Sequence, residues 1–94
     1  MDLLALAEKI ADIRQKIFTV GKTVPLDQYQ ENAFAFIAKR LDEMQFECRT
    51  NQLKPASQRY PELERIAVET DPAVLPPHLG GELIAVEKNY QCAR

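Results

Sequence analysis

Residues 3–20 read LLALAEKIADIRQKIFTV, and within them Leu3, Leu6, Ile10, Ile13, Ile17 and Val20 recur at steps of three and four. That is the period of a helix seam that packs lengthwise on another helix. A narrow apolar seam does not stay in water, so it needs a second helix, in this chain or in another copy. Asp2 precedes it as an N-cap, its carboxylate able to accept from the free amides of the first turn and to suit the positive helix end. Glu8, Asp12 and Lys16 lie off the seam at i, i+4 spacing. Gly21 reads as the stop, because glycine takes the left-handed conformation that closes many helices. The first helix is therefore expected over residues 2–20.

Working outward, residues 21–25 (Gly-Lys-Thr-Val-Pro) form a short connection whose Pro25 suits a helix first turn. A second helix is expected over residues 24–47, with Leu26, Ala33, Phe34, Ile37, Ala38, Leu41 and Met44 at helical spacing. So short a connection favours an antiparallel hairpin. Phe36 falls about 200° around that helix from Phe34, so both rings cannot share one narrow face. Phe36 and Tyr29, with Leu4 beside the first seam, are thus candidates for contact with a partner. Cys48, four residues after Met44, reads as the end of the core stripe.

Residues 48–60 lack helical periodicity and read mainly as a loop, and they hold a local basic excess. Arg49, Lys54 and Arg59 occur there without an acidic residue, next to Tyr60. Such a group is a candidate for contact with phosphate, with Tyr60 able to stack on a base. Pro61 opens a short third helix over residues 61–70, its Glu62 and Glu64 near the positive end. Residues 71–81, with three prolines and two glycines, are expected to be irregular. The final segment, residues 82–92, reads as a helix through Leu83, Val86 and Tyr90 or as a strand through Ile84 and Val86. Glu64-Arg-Ile-Ala-Val-Glu69 resembles Glu82-Leu-Ile-Ala-Val-Glu87, and as strands the two would pair. Helices are preferred, because an isolated two-stranded hairpin is marginal in water and Ala, Glu and Lys favour helix.

Composition narrows the function classes. Ninety-four residues make one small domain, and 46% hydrophobic with 28% charged residues suits a folded chain. Twelve basic against fourteen acidic residues leave a net charge of −2, which gives no global field for a polyanion or a membrane surface. No apolar run approaches the ~18 to 20 residues of a membrane span, and the acidic start does not resemble a secretory signal. Cytoplasmic residence is the expectation, with Cys48 and Cys92 as free thiols.

His78 is the sole histidine, and neither it nor a cysteine has a close-spaced second ligand, so no metal site and no cofactor are expected. Gly21-Lys22-Thr23 looks like the end of a phosphate-binding loop, but the earlier glycine would fall at Lys16. A Cys and His pair for nucleophilic catalysis would require a fold that spacing does not supply.

These readings converge on an all-α fold, an antiparallel helical hairpin braced by a short third helix and a C-terminal helix or strand. Since its core is thin, a homodimer with the hairpins in a four-helix bundle is expected. The expected function is a non-enzymatic protein-interaction module: a regulator, adaptor or inhibitor acting on a protein partner. The alternative is a ligand-binding or nucleic-acid-binding module using Arg49, Lys54, Arg59 and Tyr60.

Overall fold

The computed structural model describes residues 2–93, which hold four α-helices and no strand. The helices are α1 (Leu3–Thr23), α2 (Gln28–Thr50), α3 (Glu62–Glu69) and α4 (Pro77–Cys92), with one 3-10 turn at Ala56–Gln58. Asp2 caps α1 as expected, accepting from the Ala5 amide at 2.8 Å. The helix does not stop at Gly21. It continues to Thr23, and Val24 N–H still donates to the Val20 carbonyl. Gly21 has no positive φ, and a Cβ there would stand 3.4 Å from the Phe34 ring. Gly21 thus sits in ordinary helical backbone against α2, and the usual glycine stop is not used.

Pro25 likewise does not open α2. Asp27 is the N-cap, accepting from the Gln30 amide at 2.8 Å while the Gln30 side chain accepts from the Asp27 amide at 3.1 Å. This reciprocal capping box outweighs the proline, so the helix starts at Gln28 rather than residue 24. At the other end α2 runs through Cys48, Arg49 and Thr50, taking the first residues of the expected basic loop. Asn51 closes it in the left-handed region (φ 54°, ψ 39°), a conformation asparagine tolerates better than most side chains.

The four-residue connection makes α1 and α2 antiparallel, with Gly21 level with Phe34 and Arg14 paired to Asp42 at 3.2 Å. α4 runs back along α1, tied by Lys16 to Glu82 at 3.2 Å. α3 lies against α4, where Gly80 faces Ala67 closely enough that a Cβ would meet that side chain at 3.7 Å. The chain between residues 71 and 81 is therefore irregular only as far as Pro76. Pro77 occupies the first helical turn, and Gly80 and Gly81 are helical. The C-terminal segment is helix, not strand, and so are both copies of the short repeat.

The core forms where the four helices meet. The α1 seam (Leu6, Ile10, Ile13 and Ile17) packs with Ile37, Leu41, Met44 and Cys48 of α2. Leu63 of α3 and Leu79, Leu83, Val86 and Tyr90 of α4 complete it. Cys48 is buried as its spacing predicts, Cys92 is exposed, and both are free thiols. No helix among the described residues is long and apolar enough to cross a membrane.

Candidate functional site

Two features stand out, an open groove on the hairpin and a buried polar network beneath α3. The groove follows from how α2 divides its circumference. Ile37 and Met44 face the core, while Ala35, Ala38, Asp42 and Phe46 turn to the side that α3 and α4 leave uncovered. With Arg14 and Lys39 these residues border a groove of about 930 Å³. A smaller hollow of about 280 Å³ continues from it past Phe18, Gly21 and Phe34. The floor is alanine, and two aromatic rings stand in water at the edges. Phe46 is 62% and Phe18 46% exposed, the latter with Lys22 Nζ 4.5 Å from its ring centroid.

The polar network sits where the C-terminal end of α2 meets α4. Glu47 accepts from the Tyr90 hydroxyl at 2.6 Å and from the Lys54 amide at 3.0 Å. Arg59 donates from Nη1 to the carbonyls of Tyr90 and Ala93, at 2.6 and 2.7 Å. Arg40 and Arg59 both approach the Tyr90 ring, at 5.3 and 5.7 Å from its centroid. Burial first, and then the bond to Glu47, push the Tyr90 phenol well above its ordinary range.

Glu87, only 1% exposed, completes the network from α4. Its two oxygens accept from the backbone amides of Leu63 and Glu64, at 2.8 and 3.0 Å. Pro61 offers α3 no side-chain cap, so Glu87 caps that helix from across the fold. Burial raises its carboxyl above the usual carboxylate value, while the two amides and Arg40 oppose the rise. Burial and the Glu47 charge likewise raise the Cys48 thiol, the opposite of what a nucleophile needs.

Only part of the expected phosphate group comes together. Lys54 and Tyr60 line a cleft of about 490 Å³ with Gln58, Glu43, Glu62 and Arg40. Arg59 is turned inward to its two carbonyls, and Arg49 lies in the last turn of α2 outside this cleft. Arg40 was not singled out by sequence reading, since it sits among the charges of a helix face. It is 6% exposed, and its Nε lacks a hydrogen-bond partner. Glu43 and Glu62 flank it at 3.8 Å, too far to bond.

Of the expected partner residues, Tyr29 and Phe36 are exposed and, seven positions apart, share one face of α2. Leu4 is exposed on α1 and does not join them. No group of three metal-ligating side chains occurs among the described residues. No family model, curated protein or solved structure matches this chain.

Proposed function

We propose that this chain is a small non-enzymatic interaction module of the cytoplasm, a regulator, adaptor or inhibitor that works by presenting helix faces to protein. The observation that carries the reading is the groove: two exposed phenylalanines over an alanine floor, on the one side of the hairpin without covering helices. Exposed aromatics at such a concavity are the anchors that protein interfaces use. Tyr29, Phe36 and Leu4 offer further apolar contact on neighbouring faces. Self-association into a dimer, hairpin against hairpin, relieves the thin core of a 94-residue chain.

Phe46→Asp tests this reading, because the ring is mostly in water and the fold does not depend on it. The variant is expected to keep the wild-type circular dichroism and melting temperature while losing the association that light scattering is expected to show for the wild type at high micromolar concentration. A wild-type chain that stays at 10.7 kDa there removes self-association from the proposal.

A second reading, an anion-binding module, is favoured by Arg40, whose buried Nε has no hydrogen-bond partner, at the wall of the cleft with Lys54 and Tyr60. Glu43 and Glu62 nearly cancel that charge, which ranks it below the groove. It requires that inorganic phosphate raise the melting temperature, that added chloride erase the effect, and that Lys54→Glu abolish it.

A further inference from the structure

The outer face of α2 carries a charge pattern that the groove alone does not explain. At 100° per residue, Glu31, Ala35, Ala38, Asp42, Phe46 and Arg49 fall within a sector of about 80°, with Lys39 at its margin. The sector points away from Ile37 and Met44, which are fully buried. It runs about 27 Å along the helix. Among the described residues, Glu31, Lys39 and Arg49 make no ion pair within the chain. Three charges of both signs are thus left unpaired along one strip, with one large ring near one end and two alanines toward the other.

That strip complements itself when turned end for end. With a two-fold axis level with Arg40 and Leu41, Phe46 of one copy falls opposite Ala35 of the other. Lys39 falls opposite Asp42, and Arg49 within one residue of the level of Glu31, each pairing occurring twice. Large residues then face small ones, which lets two helices approach at the 8–10 Å of close packing. Every facing charge meets its opposite. A parallel pairing in register would instead set Lys39 against Lys39 and Phe46 against Phe46, so the pattern specifies direction as well as contact.

We propose that the outer face of α2 is an antiparallel two-fold interface, in which a second copy of this chain seats Phe46 over Ala35 and Ala38. This rests on the reading of the groove as a protein-docking surface and names its occupant. Arg14 stays with Asp42 inside each copy, so the central Lys39 shares an existing ion pair, while Phe18 flanks the contact from α1. An interface built on one helix per copy lies at the small end, about 1,200 Å² or less in total, and the dimer is expected to dissociate on dilution.

The test uses Glu31→Arg and Arg49→Glu, two exposed positions without in-chain ion pairs. Each variant alone puts like charges together twice, so its dimer is expected to dissociate about tenfold or more too easily by sedimentation. Mixed in equal amounts, the two variants form a heterodimer in which both pairs are again opposite in sign, and association is expected to return to near the wild-type level. Failure of the mixture to associate, or wild-type association indifferent to both changes, overturns this interface while leaving the docking reading standing. Loss of association in Phe46→Asp without any effect of the charge variants points to a different register or a different partner protein and also overturns it. A monomeric wild-type chain at high micromolar concentration overturns the interface and the self-association it rests on together.

Discussion

Tyr90→Ala is expected to lower stability by about 3–5 kcal/mol and the melting temperature by at least about 15 °C, measured by calorimetry. A chain of this length has roughly 5–14 kcal/mol in all, so the variant approaches unfolding. Three losses coincide. The ring is completely buried between α2 and α4, and removing it leaves a cavity. Arg40 and Arg59 lose the aromatic face they lie near. Glu47 loses its 2.6 Å donor in a site that is mostly dry.

Tyr90→Phe separates these effects, since it keeps the volume and removes only the hydroxyl, at an expected cost of about 1–3 kcal/mol. The phenol also sets an alkaline limit. Its folded pKa lies above the ordinary phenol value of 10.0, so its contribution is present below about pH 10 and is lost as pH rises toward the folded value. That loss is expected to vanish in Tyr90→Phe. Equal alkaline denaturation of both proteins would contradict the assignment.

Glu87→Ala is expected to cost about 2–4 kcal/mol, read from urea unfolding. It strips both oxygens from the amides of Leu63 and Glu64 and leaves the first turn of α3 without acceptors in a buried place. The 8-residue α3 is too short to hold itself, so its hydrogen-exchange protection should fall before that of α1 and α2. Glu87→Gln keeps one acceptor and is expected to lose less. The pH dependence identifies the group: burial raises its folded value above the ordinary carboxyl value of 4.5, so its contribution is full below about pH 4.5 and declines as pH rises through the raised value. Above about pH 4.5 the wild type should carry this decline and Glu87→Gln should not. Identical profiles would show that Glu87 does not titrate as its burial requires.

Both residues show why the polar network was hard to read in the linear chain. Tyr90 was recognised as an apolar position of the last segment, and Arg59 as a basic loop residue. Their partners lie 43 and 31 positions away, at Glu47 and at Tyr90 itself, and no local spacing announces a bond of that range. Glu87 and Arg40 looked like ordinary surface charges on helices. The same blindness applied to the boundaries. Gly21 and the glycines at 80 and 81 carry a strong local stop signal, yet all three lie in helical backbone, Gly21 against Phe34 and Gly80 against Ala67. The start of α2 is set by the Asp27 to Gln30 box, where Pro25 suggested an earlier one, and its end by Asn51, inside the segment read as a loop.

What the amino-acid order determined unaided is the hairpin: the step of three and four from Leu3 to Val20, the stripe from Phe34 to Cys48, and a connection too short for anything but an antiparallel return. Those are local facts, since a helix fixes which residues share a face within a few turns. The chain also declared that Phe36 and Phe34 could not be buried together, and Phe36 remains at the surface. Only the tertiary structure decided that the last segment is a helix beginning at Pro77, that Arg59 points inward, and that the uncovered face of α2 is the one bearing Phe46. The physical reason is common to all three: each depends on which side of the hairpin α3 and α4 occupy. That choice is made by contacts such as Glu87 on the amides of α3 and Gly80 against Ala67, between residues far apart in sequence.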